Sequence, residues 1–284
     1  MNNNIKLKSF KEIMNSNDNS IATTKDNNIY KLTGNIYNGY EDGIETISLN
    51  TKSSKKNLTL EYFKGQNNLN INLEDMVKNN LFDYNKYNTM LEEYLDNCDS
   101  KRDKASVSAL FLATIMPKMN YFWGGGHGED KVSLGIDSNW GKPSLVTASG
   151  SDNTGNYIPK SLDCSGFISW CFKQAGIDDT KTDLLSSDFL ELGTEYKVTD
   201  KEVTNVLKVG DLAYMEGHIG MVIDVDSKDN LVTVAHCSGS GGGMNITTIS
   251  TETGLITNDE TGSDINRVGK EYFTDFIVLD YDNL

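Results

Sequence analysis

Cys164 sits in the stretch Leu162-Asp-Cys-Ser-Gly-Phe-Ile-Ser-Trp-Cys-Phe172, where a polar flank passes into an apolar run of helical period. Phe167, Ile168, Cys171, Phe172 and Ala175 fall on one stripe, and Gly176 supplies a stop signal. The spacing predicts a buried helix with Cys164 in its first turn. A thiol there faces the positive end of the helix dipole, which lowers its pKa and favours the nucleophilic thiolate. The plainer alternative is a small core residue, the commoner fate of a cysteine, so a base found elsewhere must decide. Cys171, on the apolar stripe itself, reads as core.

Only three histidines occur in the chain, and two flank one hairpin. His218–Val225 and Leu231–His236 alternate as strands around the polar turn Asp226-Ser-Lys-Asp-Asn230. A turn centred on Ser227 places His218 directly opposite His236. A two-residue slip keeps both rings on one face, whereas a one-residue slip separates them. Facing residues lie about 4.5–5.5 Å apart at Cβ, so one imidazole can take the thiol proton while the second fixes its other nitrogen. Backbone N–H groups at the helix start can stabilise an oxyanion. Each histidine simply packing is the bland reading. The zinc set Cys164, His218, His236 and Cys237 matches no common spacing, and no Cys-x-x-Cys pair exists. Asp224-Val-Asp226-Ser-Lys228 only superficially opens a calcium loop, because Lys228 and Ala235 occupy ligand positions. No metal and no cofactor is expected.

These residues need elements to position them. Residues 1–28, polar and rich in Asn and Ser, are expected to be poorly ordered. Ile29–Tyr37, Gly43–Asn50 and Asn57–Lys64 read as three short strands. Asn72–Asn97 reads as helix, broken at Asn79-Asn80. Lys101–Met119 reads as a second helix, closed by Pro117. Residues 29–100 then form an N-terminal β-plus-helix module with a docking partner left open, and 101–284 the catalytic domain. Tyr121-Phe-Trp-Gly-Gly-Gly-His-Gly128 puts three glycines beside two large rings, a pattern that permits close backbone approach. No Lys-Ser/Thr follows, which excludes a phosphate loop. His127 reads as exposed, and 127–161 as a long insertion containing Trp140. Thr182–Leu192 reads as a short helix. Strands follow at Val209–Met215, His218–Val225, Leu231–His236, Met244–Ser250 and Tyr272–Leu279. Helices followed by a run of strands signify an α+β fold.

Composition sets limits on partners. The 284 residues carry a net charge of -15, which argues against nucleic acid, where a basic face supplies most of the affinity. The longest apolar run, Ala109–Met116, is far short of the ~20 residues of a membrane span. No signal peptide is visible at Met1–Phe10, so export by an unseen route, or a trimmed longer chain, is expected. The four cysteines, Cys98, Cys164, Cys171 and Cys237, are too few and too irregular for a disulfide scaffold.

With these residues assembled, the chain resembles the NlpC-type cell-wall cysteine peptidases. The resemblance rests on Tyr121-Phe-Trp-Gly-Gly125, Asp163-Cys-Ser-Gly-Phe167, Gly210-Asp-Leu212, His218-Ile-Gly-Met221 and Ala235-His236, in that order. It implies a papain-like core, with a nucleophile helix packed on an antiparallel sheet. It also implies Cys164 as nucleophile, His218 as base, His236 as orienting residue and Tyr121 beside the thiolate. Asp163 and Ser165 take the places that hold a free L-Ala amino end in some relatives, and Trp123 and Trp140 join them as candidate substrate-binding residues. The implied substrate is the peptidoglycan stem peptide, cut between the D-glutamate γ-carboxyl and a diamino acid. The implied location is the cell wall or exterior, in a bacterial, conjugative or phage setting. The segment before Cys164 is longer than is common in the family. An N-acetylmuramoyl-L-alanine amidase with the same triad, or a non-catalytic wall-binding module, remain the alternatives.

Overall fold

The structure, a computed structural model, describes residues 21–23, 29–31, 58–64, 71–260 and 267–284. The chain divides into two compact units, 1–56 and 57–284. In the first, β1 (Ile21–Thr23) and β2 (Ile29–Lys31) pair antiparallel, Ile21 opposite Lys31. Most of the 1–28 stretch expected to be poorly ordered lies outside the described residues. The expected strand at 43–50 lies outside the described residues.

The second unit begins with α1 (Leu60–Lys64), where a strand was expected over 57–64. Leu60 and Phe63, three apart, share a helical face and are buried in the same core as the helices that follow. Next come α2 (Leu73–Lys78) and α3 (Tyr84–Leu95). The break between them falls at Asn79-Asn80, where Asn80 adopts φ 54°, a conformation asparagine tolerates better than most residues. Asn72 and Asp83 cap the two helices with side-chain oxygens. Helix α4 (Lys101–Leu110) runs on as a π-helical turn, Phe111–Ile115, and stops before Pro117. These helices, grouped by sequence with the N-terminal strands, share the core of α5 (Cys164–Gln174), the helix that carries Cys164.

The expected insertion 127–161 is largely built into the protein. It carries the hairpin β3 (Pro143–Leu145) and β4 (Tyr157–Pro159), and buries Ile136, Trp140 and Val146. After α5, the helix expected over 182–192 is instead a 3-10 turn at Asp188–Leu192, with another just before the span at Asp179–Lys181. Seven strands follow in one antiparallel sheet: β5 (Gly193–Lys197), β6 (Leu212–Met215), β7 (His218–Asp226), β8 (Leu231–Ser238), β9 (Gly243–Ser250), β10 (Ile256–Asp259) and β11 (Asp275–Leu279). Their order is β10-β9-β8-β7-β6-β11-β5. The two edge strands escaped the sequence reading. β5 is almost wholly exposed and β10 has a single apolar residue, so neither shows buried alternation.

The sheet separates two cores. Ile219, Met221, Ile223, Ala235 and Cys237 face α4 and α5. Val222, Val234, Ile249 and Phe276 fill a smaller core with Phe273 on the other side. Helix α4 is tied to the sheet by Arg102, which donates to Asp211 Oδ1 at 2.6 Å and to the Leu279 carbonyl at 2.6 Å. Asp211, fully buried, also accepts the backbone N–H groups of Lys208 (2.7 Å) and Leu279 (3.0 Å). Gly210-Asp211 is therefore a joint between helix and sheet rather than part of the site.

Candidate active site

Helix α5 starts where two backbones touch. A Cβ on Gly166 would lie 1.9 Å from the Gly125 carbonyl oxygen, and one on Gly125 would lie 2.3 Å from that of Ser161. Only glycine allows this approach, which is the use of the glycine run. Gly125 O accepts the Asp163 N–H at 3.2 Å, fixing the chain just ahead of Cys164. Asp163 then caps the helix, accepting Gly166 N–H at 2.7 Å through Oδ1 and Gly124 N–H at 3.1 Å through Oδ2.

The sulfur of Cys164, 5% exposed, lies 3.9 Å from the Gly217 carbonyl oxygen. The backbone of Ser165 and Ile219 and the Tyr121 side chain lie near enough to act on it. Gly217 and Ile219 flank His218, so the thiol sits at the first residue of β7. That position follows a two-residue loop, with Met215 paired to His218.

The hairpin reached its geometry by another route than the expected one. Its turn is not centred on Ser227: Asp226 pairs with Leu231, Val225 with Val232 and Asp224 with Thr233. Continued without interruption, that register would set His236 opposite Met221 and turn His218 to the other face. A β-bulge between Val222 and Asp224 shifts the pairing by one, giving Val222↔Val234 and Met221↔Ala235. Gly220 then lies against His236, where an added Cβ would come within 2.9 Å of His236 Cβ. The two rings return to one face, and His218 Nε2 stands 2.9 Å from His236 Nδ1. Both rings are on the face away from α5, not on the helix-packed face. His218 is the first residue of its strand, next to Gly217, whose carbonyl oxygen lies 3.9 Å from the Cys164 sulfur.

Tyr272 and Phe273, which sequence reasoning missed as site residues, hold the pair: His218 stacks on Phe273 at 5.6 Å, and both imidazoles contact Tyr272. Behind them, His236 Nε2 is 2.9 Å from Thr247 Oγ1. The Thr247 hydroxyl donates to Asp259 Oδ1 at 3.0 Å, and Arg267 grips both Asp259 oxygens at 2.7 and 2.9 Å. No local pattern announces these three residues: Thr247 and Asp259 converge through the pairing of β9 and β10, and Arg267 reaches Asp259 from beyond β10.

Charge in this site is governed by burial. Burial, with the Asp163 carboxylate adding to it, raises the Cys164 thiol to about 11, while the Ser165 and Ile219 backbone and Tyr121 pull back. The depression expected from the helix dipole is outweighed. Burial likewise lowers His218 to about 3, with Arg267 acting in the same sense and Asp163 opposing. His236 is pushed well down, chiefly by burial. Tyr121 is raised by burial and by the neighbouring thiol, so its hydroxyl remains a donor. Burial thus disfavours the charged form of either group, favouring a neutral thiol and a neutral imidazole.

The remaining candidates divide. His127, expected to be exposed, is wired into the helix cap: Nε2 lies 2.9 Å from Ser165 Oγ and 3.2 Å from Asp163 Oδ1, and Nδ1 lies 3.0 Å from Asp183. Burial opposes its charged form, but Asp163 and Asp183 outweigh it and raise its pKa. Ser165 also donates to Asp163 at 3.0 Å, so both side chains proposed for substrate are engaged internally. Trp123, 36% exposed, lies beside Tyr121 with its indole N–H on the Ser149 carbonyl. Trp140 does not face a ligand: it is 3% exposed and packs on Trp170 at 5.7 Å. Among the described residues, no group of three or more His, Cys, Asp or Glu could hold a metal ion, and no helix is long and apolar enough to cross a membrane.

A model of the NlpC/P60 family matches residues 118–274, more than half of the chain. The chain belongs to the NlpC/P60 family. No curated protein and no solved structure matches it significantly. The matched span holds Tyr121, Cys164, His218 and His236, and also Thr247, Asp259 and Arg267. NlpC/P60 proteins are generally cysteine peptidases of the cell wall, and the mixed helix and antiparallel sheet here is their papain-like α+β arrangement.

Proposed function

We propose that this NlpC/P60 protein is a peptidoglycan endopeptidase cutting the stem peptide between the D-glutamate γ-carboxyl and the diamino acid. The observation that carries the reading is the 2.9 Å imidazole pair at the strand end where the Cys164 sulfur lies. His218 spends Nε2 on His236, leaving Nδ1 as its base. Cys164 sulfur attacks the amide carbonyl carbon as its proton passes to His218. N–H groups of the first turn of α5 and the Tyr121 hydroxyl stabilise the oxyanion. The imidazolium then protonates the leaving amine, and a water activated by His218 hydrolyses the thioester. Asp163, Ser165 and His127 build the helix start, and Trp123 lines the approach.

Mass spectrometry of products from purified peptidoglycan of known stem type tests the bond. Fragments ending in D-glutamate, with new amines on the diamino acid, are expected. Free lactyl ends with intact stems would instead assign cleavage to the amidase bond.

The charge balance sets a pH dependence. Activity is lost when the pair gains a proton, at His218, or loses one, at Cys164. Lowering the first pKa moves the acid limb down, and raising the second moves the alkaline limb up. kcat/KM should therefore be flat from about pH 5 to about pH 9. An acid limb near the ordinary histidine value of ~6.5 would mean that His218 is not held as described.

A further inference from the structure

We propose that Asp259, through Thr247, sets the direction of every proton in the chain ending at His218, and so keeps His218 Nδ1 bare to accept from Cys164. The inference rests on the peptidase reading and extends it to three residues not otherwise given a role.

The argument is one of donors and acceptors. Arg267 binds both Asp259 oxygens, at 2.7 and 2.9 Å, while its guanidinium lies 4.5 Å over the Tyr272 ring. A carboxylate so paired only accepts. Thr247 must then point its single hydroxyl proton at Asp259, 3.0 Å away. Its oxygen is left to accept, and the neighbour within reach is His236 Nε2 at 2.9 Å. His236 therefore carries its proton on Nε2, and its Nδ1 has a lone pair. That lone pair accepts from His218 Nε2–H at 2.9 Å. His218 ends with Nδ1 unprotonated, the form a general base requires.

The site is dry enough for this polarity to hold. His236 and Thr247 are fully buried, and the Asp259 and Arg267 side chains nearly so. No proton need travel to Asp259; it acts through two intervening groups. It is a positioning residue, as are Thr247 and Arg267.

Thr247→Val removes the acceptor while keeping the shape. His236 then gains by moving its proton to Nδ1, where His218 Nε2 can accept it, rather than leaving a buried N–H without a partner. That reverses the chain and puts the proton of His218 on Nδ1, against the thiol. The test is imidazole 15N NMR on the full chain at neutral pH. In the wild type, His218 should show a pyridine-like Nδ1 and a protonated Nε2. In Thr247→Val the two should exchange character, kcat/KM on peptidoglycan should fall roughly 10- to 100-fold, and Thr247→Ser should restore both. Thr247→Ala, read the same way, covers failure of the valine variant to fold. Unchanged His218 shifts in these variants would overturn the proposal whatever the activity does. So would a Thr247→Ser protein as impaired as Thr247→Val, since that would make the role one of packing. The NMR readout needs no substrate, so it separates failure here from failure of the peptidase reading.

Discussion

Replacing Cys164 with alanine is expected to abolish hydrolysis, lowering turnover on purified peptidoglycan by at least ~10⁴-fold. Covalent catalysis has no substitute atom here: Cys237 and Cys171 are fully buried, and Cys237 donates to the Leu162 carbonyl at 3.2 Å. Cys98 lies past the end of α3 and is half-buried against the core. The fold should survive, because the variant deletes one sulfur at the end of a helix whose cap, Asp163 to Gly166, is untouched. Circular dichroism and urea unfolding close to wild type would accompany the loss. Cys164→Ala with normal activity in a wall assay would reduce the protein to a binding module. Mass mapping after alkylation adds an independent view, with Cys164 modified before Cys171 and Cys237. Cys98, half-buried, is more open than these and must be followed separately.

His218→Ala is expected to lose about 10³- to 10⁴-fold in kcat/KM, and His236→Ala about 10²-fold. The difference follows from what each ring does. In the proposed mechanism His218 accepts the proton of the nucleophile and later delivers it to the leaving amine, so its removal deletes both transfers. His236 lies on the far side of that ring, 2.9 Å from Nε2, and can only orient it and hold its tautomer. His218 keeps part of its placement without His236, through the stack on Phe273 at 5.6 Å and the contact with Tyr272. His236→Asn, whose side-chain oxygen can still accept from Nε2–H, should recover some of the loss. Steady-state kinetics at saturating and limiting substrate would check the ranking. Equal losses for the two alanine variants would assign proton transfer to the pair as a unit.

Much of this site was legible in the chain because its parts are local. Apolar spacing from Phe167 to Ala175 demanded a helix, and the polar residues before Cys164 placed the thiol at its start. The adjacent glycines announced a close backbone contact, which the meeting of Gly125 and Gly166 supplies. Alternation around Asp226–Asn230 required a hairpin bearing both imidazoles. Family resemblance brought the roles together.

Composition and period do not count residues across a turn, and there the tertiary structure decided. The bulge between Val222 and Asp224 rescues a register whose parity would have parted the rings, because pairing to β6 on one side and β8 on the other must both be satisfied. Trp140 was a plausible ligand contact until packing on Trp170 buried it. His127 looked like a loop residue until Asp163, Ser165 and Asp183 closed around it. The thiol's charge state also changed sign of shift, since desolvation depends on what surrounds the sulfur. Asp259 comes within one hydroxyl of a histidine over twenty residues away through the pairing of β9 and β10, and Arg267 joins it from beyond β10. Sequence determined which groups exist and which elements carry them; only folding chose their faces, their solvent exposure and the direction of their protons, because each of these depends on atoms distant in the chain.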